Sequence, residues 1–231
     1  MKNLLMATLA VIMGASIVLA MSGAGALTVG ATSRWAGETA SSESTQGGNI
    51  TSQNLSTQTQ TQKWAEFYGN ITGNIVLLDT SGNNTSRVFK WAWTSSSGGE
   101  VCLTQAQAGN FDVVGTTSAS SINSAWSLGS AADNASNTYN LTNCSMNLAG
   151  GQVTATADAQ IQGYSTFHSC ALSIGTGLSS SKSSYAFCSN ISASGKNFNN
   201  TTSNYEVLVP ISPGSTSGIA TETYYFYAEL N

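Results

Sequence analysis

The sequence predicts an all-β protein, an antiparallel β-sandwich of jelly-roll or immunoglobulin-like type with one or two short helices, and a closed β-barrel as the alternative. Three observations lead there. Apolar and β-branched residues recur with a period of two in many short runs. Those runs are separated by Gly, Asn, Asp and Ser clusters at fairly regular spacing. No long amphipathic helical pattern and no repeat of 20 to 50 residues intervenes.

The chain opens with Met1 and Lys2, continues as an uncharged apolar stretch from Leu4 to Ala20, and reaches small residues ending in Ala24-Gly25-Ala26. A basic start, an apolar centre and an A-x-A exit make residues 1–26 a secretory signal peptide, with cleavage expected after Ala26. The apolar stretch approaches the length of a membrane span, so an uncleaved anchor is the alternative. Residues 27–47 form an N-terminal extension in which Leu27, Val29 and Ala31 alternate with polar or small residues, as a donor strand for a neighbouring sheet would; pairing within its own sheet or a loose tail are the other possibilities. Residues 48–231 are expected to form one β-sandwich domain.

Within that domain, residues 49–62 alternate threonine with glutamine and read as a half-exposed strand, because a tether would carry Gly or Pro. Ile75–Leu78 and Arg87–Trp93 flank the turn formers Asp79, Ser81, Gly82, Asn83 and Asn84, the pattern of a hairpin. GEVCLTQ (99–105) supplies a strand. Ile122, Ala125 and Trp126 stand at helical spacing and predict one or two short turns. Further strands are expected at QVTATADAQI, SYAFCSNI and NYEVLVPI, and in the final TETYYFYAEL, where Tyr224, Phe226, Ala228 and Leu230 alternate with Tyr225, Tyr227 and Glu229.

Composition bears on compartment. Only 8% of the residues are charged, against about 25% in an average soluble domain, so hydroxyls, amides or attached sugar must hold water at the surface. The N-x-[ST] triplet occurs at Asn49, Asn54, Asn70, Asn83, Asn84, Asn134, Asn140, Asn143, Asn190, Asn199 and Asn200, which favours a glycosylated exterior. A net charge of −4 with seven Lys plus Arg leaves no electrostatic footprint for nucleic acid, and none for a membrane once the signal is removed. Cys102, Cys144, Cys170 and Cys188 contain no C-x-x-C pair and read as two disulfides of an oxidising compartment. Four cysteines allow three pairings; the shorter loops favour Cys170 with Cys188 and Cys102 with Cys144.

The blocks Trp64–Asn83 (WAEFYGNITGNIVLLDTSGN), Gly99–Val101 (GEV), Tyr205–Ile211 (YEVLVPI) and Thr223–Tyr227 (TYYFY) resemble a group of secreted archaeal surface proteins. The likeness covers about a third of the chain beyond the signal. It implies an exported β domain on an archaeal cell exterior, and it implies no activity and no site residue.

No catalytic constellation stands out. His168, the single histidine, sits in TFHSC without nucleophile-elbow glycines and reads as structural. The eleven carboxylates contain no pair marked by local context as a glycosidase pair. Asp79 with Asn83 and Asn84 lacks the ligand spacing of a calcium loop. The aromatics Trp64, Phe67, Tyr68, Trp91, Trp93, Trp126 and Tyr224–Tyr227 are expected mainly in the core rather than on a sugar-stacking platform. The expectation is therefore a non-enzymatic, cofactor-free and metal-free structural subunit of a surface filament or coat, whose main partner is copies of itself. Five lysines and two prolines leave little to guard strand edges, which suits strand exchange. A carbohydrate-binding or adhesin module, with surface glycans as partners, is the alternative.

Overall fold

The computed structural model describes residues 21–23, 25, 27–34, 40–79, 86–93, 98–175, 181–213 and 221–230. The expected signal peptide lies mostly outside these residues, as do the hairpin turn at 80–85 and the acceptor residues Asn83 and Asn84.

The strands run in chain order as β1 (Ser22–Gly23), β2 (Trp64–Gly69), β3 (Asn74–Asp79), β4 (Ser86–Ala92), β5 (Glu100–Thr104), β6 (Val114–Thr116), β7 (Ser145–Leu148), β8 (Gly151–Thr154), β9 (Ala157–Gln160), β10 (His168–Ile174), β11 (Tyr185–Asn190), β12 (Tyr205–Pro210) and β13 (Tyr225–Glu229), with the short helices α1 (Ala119–Trp126) and α2 (Ala135–Thr138) between β6 and β7. All pairings are antiparallel. The main sheet follows the order β1-β13-β5-β11-β10-β6, and β9 shares the outer edge of β10 with β6. Smaller sheets are β12-β2, β3-β4 and β7-β8. The architecture is thus an all-β antiparallel sandwich, and no closed barrel forms among the described residues.

Both faces of the main sheet are covered, and strand alternation sorts its side chains between them. One face carries Val101, Leu103, Ala171, Tyr185 and Phe187, which pack with Val207 and Val209 of β12 and with Ile122, Trp126 and Tyr139 from the helical segment. The other carries Cys102, Cys170, Leu172, Ala186, Cys188 and Tyr227, which pack with Met146 and Leu148 of β7 and with Phe111.

α1 begins where the Ser118 hydroxyl accepts the Ser121 N–H at 3.2 Å and ends at Ser127, whose φ of 54° is left-handed. It buries Ile122 and Trp126, four residues apart on one face. Asn123 then fastens α2 to α1, accepting the Ala135 N–H at 2.7 Å.

Two sequence expectations are corrected. Residues 49–62 belong to no strand and, Gln60 apart, are exposed. Threonine-glutamine alternation has the period of a strand but no apolar face, so nothing draws it onto the core. The disulfides join Cys102 to Cys188 and Cys144 to Cys170, not Cys170 to Cys188 and Cys102 to Cys144. Cys188 stands in register with both Cys102 on β5 and Cys170 on β10; Cys102 takes it, and Cys170 bonds Cys144 at the entry to β7. Loop length was a poor guide because closure entropy grows only logarithmically with it.

Candidate functional site

The N-terminal arm lies outside the packed domain. Residues 40–62 are exposed with one half-buried exception, Gln60, and the large apolar side chains of Leu27, Val29, Ile50 and Leu55 stand in solvent, Val29 at 75% and Leu55 at 89% exposure. Leu27, Val29 and Ala31 form no strand. Within the arm, Arg34 Nε donates to Gln60 at 2.7 Å.

The root of the arm is fixed by Asp133, just ahead of α2. Its carboxylate accepts from Lys63 Nζ at 2.7 Å and from the Thr61 hydroxyl at 2.8 Å, and its carbonyl accepts the Trp64 indole N–H at 2.7 Å. The Lys63 hydrogen bond holds the Asp133 carboxyl below its ordinary range, against the desolvation that opposes it. Beyond that clamp the chain is anchored as β2, and the described residues 40–61 before it belong to no helix or strand.

At the far edge of the main sheet, β13 pairs along its whole length with β5 but receives only two residues of β1, Ser22 opposite Ala228 and Gly23 opposite Tyr227. Met21, just before β1, packs partly buried against the cluster containing Tyr225 and Tyr227. The C-terminal end of β13 is held by Glu229, which lies beside Glu100 in register. Both carboxyls are buried, and they accept backbone N–H groups of Ala149 and Asn147 at 3.0 and 3.1 Å from the β7-β8 hairpin.

Among the described residues, the β3-β4 hairpin forms a two-stranded sheet of its own. Ile75 faces Trp91 and Leu77 faces Phe89 across the pair, and all four are exposed. The Phe89 and Trp91 rings lie 4.7 Å apart. Trp126 is fully buried, as expected of the aromatics, whereas Tyr68 and Trp91 stand outward.

His168 lines a cleft of about 700 Å³ with Asn143, Gln160 and Asn190. Its Nδ1 lies 2.9 and 3.0 Å from the two oxygens of Asp158, which is fully buried. Asp158 also lies beside Cys144 and Cys170, both engaged in their disulfide, so this acidic and sulfur cluster offers no open ligand set. A second cleft, of about 550 Å³, contains Glu66, Asn140, Gln160 and Gln162. There the Glu66 carboxyl is pushed up to about 8 by desolvation, by its hydrogen bond to Glu206 and by the charge of that neighbour. Glu206 is fully buried, accepting the Phe198 N–H at 2.9 Å and the Ser165 hydroxyl. Sequence spacing did not single out this pair; 140 positions separate its members, which meet diagonally because β2 and β12 pair with Tyr68 opposite Glu206.

The acceptor asparagines Asn49, Asn54, Asn70, Asn140, Asn143, Asn190, Asn199 and Asn200 are exposed. Asn134 is half-buried and its side-chain oxygen caps α2 by accepting the Asn137 N–H at 2.9 Å. No family model, curated protein or solved structure matches this chain.

Proposed function

We propose that this protein is a secreted, N-glycosylated structural subunit of an archaeal cell-surface assembly, a filament or coat, whose copies are joined by β-strand exchange through the N-terminal arm. The observation that carries the reading is the arm itself: its described residues lie outside any strand, with the alternating Leu27, Val29 and Ala31 exposed in their own molecule, and its root is fixed at Asp133. Exposed apolar groups on an unpaired backbone are costly to leave in water and are the usual means by which an added strand binds a neighbour's sheet. The two disulfides suit an oxidising exterior, and the exposed acceptor asparagines supply places for sugar on a surface short of charge.

Deleting residues 27–47 and imaging the exported product by electron microscopy tests the reading. The expected outcome is a folded, monomeric domain without fibres or coat; assemblies persisting at normal abundance would overturn it. A second reading, an adhesin that binds surface glycans, rests on the exposed Phe89 and Trp91 rings of the hairpin, since sugars stack on such faces. A glycan array probed with the protein and with Trp91→Ala distinguishes it, because only this reading requires binding that the substitution removes.

A further inference from the structure

The segment paired to the outer edge of β13 comes from residues 22 and 23, which precede the expected cleavage point after Ala26. Removal of the signal would therefore strip the sheet of its edge strand and of Met21, an apolar side chain packed against the cluster that contains Tyr227. The edge strand β13 would thus lose its β1 partner through maturation itself.

We propose that this vacated β13 edge is the acceptor site for the arm of a second copy, with Leu27–Ala31 replacing β1. The inference rests on the assembly reading above and adds to it the site and the trigger. The dimensions agree: Leu27–Ala31 and Tyr225–Glu229 are both five residues long, about 17 Å of strand. The chemistry agrees as well. Alternation turns Leu27, Val29 and Ala31 to one face, and the face available beside β13 is the one on which Met21 now packs against the cluster that contains Tyr227. The added strand supplies three apolar side chains where β1 is flanked by one methionine, and it pairs all of β13 rather than two residues. Residues 32–63, between the donor and β2, span up to roughly 100 Å when extended, enough to reach an adjacent subunit. Before cleavage β1 occupies the edge in its own chain, so export and assembly are coupled: the uncleaved chain is blocked as an acceptor.

The test uses the exported full-length protein in two single-cysteine forms. One carries Thr28→Cys or Gly30→Cys on the face of the donor opposite Leu27 and Val29. The other carries Ala228→Cys, which faces away from both native disulfides because Tyr227 shares their face. Mixed and allowed to assemble, the two forms should yield an inter-chain disulfide that peptide mapping places between residue 28 or 30 and residue 228, with both native bridges intact. In parallel, a chain that retains residues 21–26 should lose polymerisation while keeping the melting profile of the domain. Assemblies whose inter-chain links lie elsewhere, for example on the β3-β4 hairpin, would overturn the β13 site and leave strand exchange standing. The same cysteines joining within one chain when both are placed on it, without dimers from the mixture, would show the arm folding back on its own edge and would overturn the second copy as occupant. Absence of any assembly from the unmodified protein would overturn both readings together.

Discussion

Asp158 has no exposed surface, and two of its neighbours, Cys144 and Cys170, offer no charge once they are joined. Its carboxylate is satisfied by His168 Nδ1 from across the β9-β10 pair, and its backbone by Leu141, whose N–H donates to its carbonyl at 2.9 Å. Burying a carboxylate without a donor is unfavourable, so the histidine acts as a support for the acid, with no hydroxyl nucleophile on its other nitrogen among the described hydrogen bonds. His168→Leu should destabilise the protein by about 1–3 kcal/mol in urea unfolding, and Asp158→Asn in the His168→Leu background should recover part of that loss by removing the unpaired charge. Equal midpoints for His168→Leu and the unsubstituted protein would show that the pair contributes nothing. The same residue-scale logic applies at Gly99, where φ is 109° and a Cβ would collide with the Glu229 carbonyl oxygen; only glycine lets β5 begin this close to the end of β13.

At the scale of elements, the disulfides act on different parts of the sandwich. Cys102–Cys188 ties adjacent strands of the main sheet and closes 86 residues, whereas Cys144–Cys170 ties the β7-β8 layer to β10 and closes 26. In the chain-entropy account these constraints are worth about 4.6 and about 3.5 kcal/mol. Replacing Cys102 and Cys188 with alanine should therefore lower stability by about 1 kcal/mol more than replacing Cys144 and Cys170, read by guanidinium unfolding; the reverse order would mean that docking of the outer layer dominates. The legibility of the elements follows the same division. The β3-β4 hairpin, α1, β5, β11, β12 and β13 could all be read from turn residues, helical spacing or β-rich runs. β10 could not, although it pairs with three other strands: HSCALSI is buried from Ser169 to Ile174, and a strand covered on both faces has no polar alternation to reveal it. QVTATADAQI reads as one strand but divides at Ala155 and Thr156 into β8 and β9, which belong to different sheets. Nor could the Glu66–Glu206 contact or the disulfide pairing be read, since both depend on strand register across long separations.

Across the whole molecule, burial makes the surface even less charged than the composition suggests. Among the described residues, Glu100, Asp158, Glu206 and Glu229 are buried. The titrating carboxyls then divide into two opposed groups. At Glu222 desolvation favours the neutral acid, but hydrogen bonds from Lys182, the Ser212 N–H and the Trp126 indole outweigh it and hold the carboxyl below its ordinary value; Asp133 is likewise lowered, chiefly by Lys63. A carboxyl lowered on folding contributes stability above its unfolded pKa, and that contribution disappears as pH falls through the folded value. Glu66, raised to about 8, and Glu229, raised by burial against the Ala149 N–H, behave oppositely: the folded state retains their protons, so stability declines as pH rises from about 4.5. The two trends place maximal stability at mildly acidic pH, between about 4 and 6, rather than near neutrality. Because the Glu66 side chain is exposed, its limb of the profile should be shallow. Glu66→Gln removes that limb's largest identified cause, and should flatten the fall in melting temperature between pH 5 and pH 8 while leaving the acid limb, set by Glu222 and Asp133, unchanged. A melting temperature that climbs steadily to pH 8 in the unsubstituted protein would rule out the raised Glu66 carboxyl.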